Sequence, residues 1–237
     1  MVKNFFIFGE KSSKDFGITV EHCPPFGTGQ RSVEKQSVPG RSGDLLIDTG
    51  AYSNYTQQYE VWFKGQKPTI QAARSIAFWL MSQTGYIRLE DSYDPDVYRM
   101  ACFSGPFDVE NWMLVRGRAT LEFDCKPQKY IKQGEFPITV QSGKSIGNQW
   151  MPALPLIQIS GTGSGQLSVG TSQVEITEIT GTITLDCDLQ NAYDGTENLN
   201  NNITITGGWP VLVTGQTAIS FSGGITAVEI TPRWWTL

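Results

Sequence analysis

Apolar and polar positions alternate over residues 59–64: Tyr59, Val61 and Phe63 share one face, and Glu60, Trp62 and Lys64 the other. That period of two predicts a half-buried strand with one aromatic on its wetter side. Residues 117–126 alternate more cleanly, with Ala119, Leu121, Phe123 and Cys125 facing in and Thr120, Glu122 and Asp124 facing out. Between these strands the period changes. Ile70, Ala73, Ile76, Ala77 and Leu80 recur at three and four residues, Pro68 suits a first turn and Gly85 a stop, so one helix is expected there. Trp79 falls beside that stripe and is expected at the margin of the core, with a lateral contact as the alternative. Shorter apolar runs at 5–8, 17–20, 86–90, 99–103 and 113–116 complete a set of strands in the first half.

Beyond residue 134 the pattern contains no helix. Short strands are expected near Ile138, 156–159, 167–169, 174–179, 182–186, 203–205, 219–221 and 228–230, separated by Gly-rich turns. Such spacing implies an antiparallel sandwich. The passage 126–134, with Pro127 and Gly134, is the candidate link, so the chain is read as a domain over 1–133 and a second over 134–237. Charge supports the division: residues 1–133 hold 16 Lys and Arg against 15 Asp and Glu, whereas 134–237 hold 2 against 8. A net charge of −5 argues against a grip on phosphate backbones, so no specific nucleic-acid binding is expected. With 39% apolar and 17% charged residues the composition is that of a globular protein, and all-β is the better reading. The first residues lack a signal sequence and no run is long enough for a membrane helix, so the protein is expected to stay in the cytoplasm where it is made, with no membrane partner.

Two stretches resist a simple reading. Residues 31–54 are irregular and polar around Pro39-Gly40, which fits either a solvated hairpin tip or a functional excursion. The last residues, Pro232-Arg233-Trp234-Trp235-Thr236-Leu237, place paired indoles where chains usually fray. In an extended segment those indoles point to opposite sides, so the end is expected to be tied down, with the stretch 228–237 free to pack back on the first domain.

These ends carry a resemblance. Trp209-Pro210 with Gly215 and the terminal Pro232-to-Leu237 run look like the ending of the distal tail (Dit) proteins of long-tailed, non-contractile phages. Phe6-Ile7-Phe8-Gly9-Glu10, Phe16-Gly17-Ile18 and Ser37-Val38-Pro39-Gly40-Arg41-Ser42-Gly43-Asp44-Leu45 are similar to that family's opening. The resemblance implies a mainly β protein: an N-terminal β-sandwich with one α-helix and a protruding hairpin or arm, then a C-terminal galectin-like β-sandwich. It implies a homohexameric ring at the far end of the virion's tail, assembled in the host cytoplasm. Partners would be the tail tube protein, a tail-associated tip protein and receptor-binding or baseplate proteins, with DNA passing through the lumen. Val38, Pro39, Gly40, Arg41 and Gly43 would lie in the arm that embraces a neighbouring subunit.

Candidate chemistry is sparse. His22 is the one histidine, so an imidazole-rich metal site is impossible, and a hydrolytic triad would have to use it. Ser142-Gly143-Lys144-Ser145 imitates the end of a phosphate loop, but the earlier glycine would fall on Ile138. Gly161-Thr162-Gly163-Ser164-Gly165 reads as a hairpin turn. Asp186, Asp188 and Asp194 offer oxygens without the order of a calcium loop. Cys23, Cys102, Cys125 and Cys187 are too scattered for a zinc knuckle or a disulfide framework. No catalytic, metal or cofactor site is expected. The alternative to a structural role is a carbohydrate-binding protein in which Trp150, Tyr193 or Trp209 stacks on a sugar ring, against a default of core or domain-contact aromatics.

Overall fold

The structure is a computed structural model that describes residues 4–63, 70–107 and 118–237. Pro68 and the strand expected over 113–116 lie outside the described residues. The fold is mainly β and divides into two compact units, residues 1–129 with Leu237, and residues 130–236.

The first unit contains β1 (Phe6–Phe8), β2 (Lys11–Ser12), β3 (Ile18–Val20), β4 (Arg31–Gln36), β5 (Leu45–Tyr52), β6 (Tyr55–Phe63), α1 (Ile70–Met81), β7 (Ile87–Asp91), β8 (Val97–Phe103) and β9 (Arg118–Ile131). Its sheet runs β2-β1-β7-β8-β9-β6-β3, while β4 and β5 pair only with each other. The alternation in β6 and β9 sets the register. Tyr55 lies opposite Cys125, Tyr59 opposite Leu121 and Val61 opposite Ala119, so both strands turn their apolar faces to one core.

Aromatic rings dominate that core. Phe6 stacks on Tyr59 at 5.0 Å and on Trp79 at 5.8 Å, and meets Phe123 edge-on. Trp79 corrects the expectation of a marginal position. Its ring is buried, stacks on Phe16 at 4.4 Å, and donates its indole N–H to the Phe8 carbonyl at 3.2 Å. The buried face of α1 is therefore centred on Ile76, Trp79 and Leu80, with Ala73 and Ala77 at its edge. The large flat ring fills space that alanines leave open.

A polar cluster invisible to periodicity lies under the same sheet. The Asp91 carboxylate accepts from Tyr59 Oη and from Arg99 Nη1, both at 3.0 Å, and from the backbone N–H groups of Tyr93 and Asp94. Arg99 Nε donates to Tyr55 Oη. Alternation in β9 continues through the expected link, so Pro127, Lys129 and Ile131 also face in, and a short 3₁₀ turn over Lys132–Glu135 follows. Lys129 is 1% exposed; its ammonium donates to the Gly27 carbonyl at 2.5 Å and stands 3.5 Å from the Phe26 ring centroid. Burial, with the Arg99 charge adding to it, pushes the Lys129 ammonium down to about 8.

The second unit contains β10 (Ile138–Val140), β11 (Lys144–Asn148), β12 (Leu156–Val169), β13 (Ser172–Asp186), β14 (Asn191–Asp194), β15 (Glu197–Asn198), β16 (Ile203–Thr206), β17 (Gly215–Thr231) and β18 (Trp235–Thr236). Pairs of expected strands prove to be halves of single long ones: 156–159 with 167–169 in β12, 174–179 with 182–186 in β13, and 219–221 with 228–230 in β17. The Gly-rich stretch 161–165 is a bend within a strand, correcting its reading as a hairpin turn. The ladder between β12 and β17 changes register between Ser160 and Gly161 and again before Gly165.

Glycine is required at that bend because the two backbones touch. A Cβ on Gly161 would lie 2.1 Å from the Gly224 carbonyl oxygen, and one on Gly224 1.8 Å from that of Thr162. Past the bend the strands continue as a second half-sheet, with β10, β14 and β15 flanking one half and β11 and β16 the other. Ile157, Ile159, Ile183 and Leu185 from one half join Leu167, Val169, Val174 and Ile219 from the other in one aliphatic core. The unit is a β-sandwich made from one folded sheet.

Two outcomes follow from this packing. Gly161→Ala will destabilise the chain by about 2–3 kcal/mol in urea unfolding, because backbone oxygen cannot yield to the new methyl group. For Lys129 the folded value lies below the unfolded value of about 10.4, so between them the unfolded chain binds a proton that the folded chain does not. The unfolding free energy of wild type relative to Lys129→Met will therefore be flat below about pH 8 and will rise from about pH 8 to about 10.4.

Candidate interaction surface

β4 and β5 form a two-stranded ribbon that no other described strand joins. It replaces the irregular excursion read over 31–54 with regular pairing, Glu34 opposite Ile47, Lys35 opposite Leu46 and Gln36 opposite Leu45. Because opposite residues share a side, Leu45 and Ile47 lie on one face and Val33 and Leu46 on the other. All four are exposed, Leu46 to 58%. An isolated hairpin is at best marginally stable in water, and exposed apolar residues on both faces add a further liability.

The ribbon is held at its root. Ser53 N–H donates to the Gln30 carbonyl at 2.9 Å, Thr49 Oγ1 donates to the Ser32 carbonyl at 2.8 Å, and Arg31 pairs with Asp48 at 3.2 Å. Gly29 lies so close to the Ser53 carbonyl and Pro127 that a Cβ there would meet them at 2.4 and 2.7 Å. Val38, Pro39, Gly40, Arg41 and Gly43 form the exposed tip, where Arg41 N–H closes a turn on the Val38 carbonyl and Gly40 and Gly43 have φ of +81° and +83°. The structure thus gathers these five residues at the end of a projecting ribbon.

The three aromatic candidates are dispersed. Trp209 packs against the aliphatic core of the second unit. Trp150 is 39% exposed on the loop before β12. Tyr193, on β14, lines two adjoining grooves that contain neither tryptophan. Sequence reasoning named Tyr193 but could not find its neighbours, which come from β12, β13 and β17.

Ser142 Oγ is spent on the Phe221 backbone, and the turn it occupies leads into β11. Asp186, the leading oxygen ligand of the acidic cluster, is held by Arg233 through two hydrogen bonds, at 2.7 and 3.0 Å, and accepts from the N–H groups of Asp188 and Leu189. These hydrogen bonds, Arg233's foremost, hold the Asp186 carboxyl below the usual carboxylate range. Glu21, His22 and Glu60 bring their ligand atoms within 4.8 Å of one another, a grouping that sequence spacing did not reveal. Arg118 Nη2 already neutralises Glu21 at 2.7 Å, and the His22 side chain is largely solvent-exposed.

The end of the chain is tied down through Arg233. With φ of +55°, this residue turns its N–H to the Gly134 carbonyl while its guanidinium grips Asp186. Ile131 N–H then donates to the Trp234 carbonyl, Met151 N–H to that of Trp235, and the Trp235 indole to the Pro152 carbonyl. Trp234 packs on the aliphatic core.

No family model matches this chain, and no curated protein matches it by sequence. Among solved structures it is similar to the SPP1 Dit (gp 19.1) protein, described as a paradigm of the hub adsorption apparatus in phages infecting Gram-positive bacteria. The TM-score is 0.72 at 13% sequence identity, over 96% of this chain and 98% of that one. The likeness covers both units, so the whole chain has the fold of that protein.

Asp186→Asn will lower the thermal midpoint at neutral pH, by about 1–3 kcal/mol of stability, since Arg233 loses its countercharge at a partly exposed site. The folded pKa of Asp186 is depressed, so its contribution is present above the ordinary carboxylate range and disappears as pH falls through the folded value. Melting curves of wild type and variant will converge in acid.

Proposed function

We propose that this chain is a distal tail protein, a non-enzymatic hub at the tip of a phage tail that closes into a homohexameric ring. The observation that carries the reading is a fold shared end to end with a Dit protein, joined to a ribbon whose two apolar faces are unmatched within the described residues. The domain spanning 1–133 forms the ring, and its ribbon, with Val38, Pro39, Gly40, Arg41 and Gly43 at the tip, lies against the next subunit. The domain spanning 134–237, a galectin-like module, faces outward and docks receptor-binding or baseplate proteins. One side of the ring meets the tail tube protein and the other the tail-associated tip protein.

The physical logic is closure. Contact between one patch of a subunit and a different patch of the next generates a ring if the rotation closes and a filament if it does not. A ribbon inserted between two surfaces buries Leu45 and Ile47 on one side and Val33 and Leu46 on the other, which fixes the rotation more firmly than a flat contact. Near balance of charge in residues 1–133, 16 basic against 15 acidic, lets rings stack without long-range repulsion. The shortage of Lys and Arg clusters suits a lumen through which DNA slides.

Light scattering at tens of micromolar, with negative-stain images, will give a mass of six copies and annular particles. Leu46→Asp with Ile47→Asp, which changes both faces of the ribbon outside either core, will give a folded monomer with an unchanged melting midpoint. If the double variant still forms rings, the ribbon is not the interface. Absence of the chain from the tail tip in antibody-labelled virions overturns the hub reading itself.

A further inference from the structure

The outer face of the second unit carries a row of side chains that crosses six strands in register. Thr139 of β10 lies opposite Glu229 of β17, Glu229 opposite Gln158 of β12, Gln158 opposite Thr184 of β13, Thr184 opposite Tyr193 of β14, and Tyr193 opposite Asn198 of β15. Their neighbours in sequence, among them Val228, Ile157, Ile183 and Ala192, are buried in the aliphatic core, so all six point the other way. The row therefore presents a carboxylate, two amides, two hydroxyls and a phenol.

The face is grooved along this row. A hollow of about 200 Å³ is lined by Glu229, Gln158, Thr184 and Tyr193, with Leu156 and Pro137 as an apolar wall. Tyr193 also lines an adjoining hollow of about 310 Å³ around the β14–β15 hairpin, together with Asn198 and Asn191. The phenol ring thus stands between two depressions. Arg233, fixed on Asp186 in the next row of β13, lies outside the lining of both hollows.

The chemistry narrows the ligand. Backbone groups of β12, β13 and β17 are paired on both sides along the row, so an added peptide strand has no ladder to join. No Lys or Arg lines the two hollows, Glu229 sits in one, and residues 134–237 hold 8 acidic residues against 2 basic, so a phosphorylated or sulfated polymer is repelled. Glu229 is the only carboxylate in its groove, too few for a dedicated divalent-cation site. A pyranose ring fits all of this. Its C–H face is apolar and packs on an aromatic ring, while its hydroxyls each donate and accept, matching a carboxylate, amides and hydroxyls set at fixed strand spacing.

We infer that this groove binds a neutral saccharide, one sugar ring stacked on Tyr193 and its hydroxyls held by Glu229 and Gln158. The inference needs the second unit alone and stands whether or not the chain forms a ring. A solvent-facing groove of this size holds one or two residues weakly, with a dissociation constant on the order of 1 mM.

The test uses the full chain and a panel of methyl glucosides, methyl galactosides, N-acetylglucosamine and their disaccharides, followed by saturation-transfer NMR and calorimetry. At least one neutral sugar is expected to bind, and Tyr193→Ala and Glu229→Gln are each expected to weaken it about tenfold or more with an unchanged melting midpoint. Gln158→Ala supplies a third variant should either of these unfold. No binding across the panel at tens of millimolar, binding unchanged in the variants, or binding confined to anionic polysaccharide overturns the inference. A chain that forms rings and binds no sugar defeats this inference and leaves the hub reading intact; a sugar-binding chain that is missing from virions does the reverse.

Discussion

The second unit depends on a single close approach of backbone to backbone. Three long strands must turn a corner together so that one sheet covers both sides of its own core, and their amide groups must stay paired on either side of the turn. At Gly161 and Gly224 the chains come so near that even a methyl group would overlap a carbonyl oxygen. Side-chain-free positions at one level of β12 and β17 make the corner possible. The core, the outward row on the far face and the seat for the chain's end all inherit their positions from it.

The two units solve the same problem with different materials. The first fills its interior with flat rings, Phe6, Tyr59, Trp79 and Phe123, and places an ionic cluster of Asp91, Arg99 and two tyrosine hydroxyls beneath them. Each polar atom there has a partner, so the cluster fixes register without leaving a reactive group open. The second unit uses aliphatic side chains almost throughout and relies on strand length and continuity. Its charged anchor pairs a buried carboxylate, Asp186, with the half-buried Arg233 and holds the chain's end instead of the core.

These choices leave two kinds of surface. The ribbon offers apolar side chains without a core of its own, a surface that gains most from burial against protein. The row on the second unit offers hydroxyls, amides and a phenol on a rigid sheet, a surface suited to a hydrated ligand. Side chains that sequence alone would make interesting are occupied, Asp186 by Arg233 and Ser142 by the Phe221 backbone, and so is Glu21, by Arg118.

The chain's own pattern determined its strand-rich character, its single recognisable helix, the inward faces of β6 and β9, and the pinning of a terminus that ends on paired indoles. Those features arise from local rules, period two against period three or four and the poor solubility of exposed rings, and local rules are written in consecutive residues. Tertiary structure decided the rest. Trp79 moved to the centre because only the assembled sheet reveals where a large ring is needed, and Gly161 to Gly165 became a bend because the strand resumes when β13 and β17 lie alongside. Tyr193 acquired its companions because pairing brings residues from Thr139 to Glu229 into one line, a relation between strands far apart in the chain that no single stretch of residues contains.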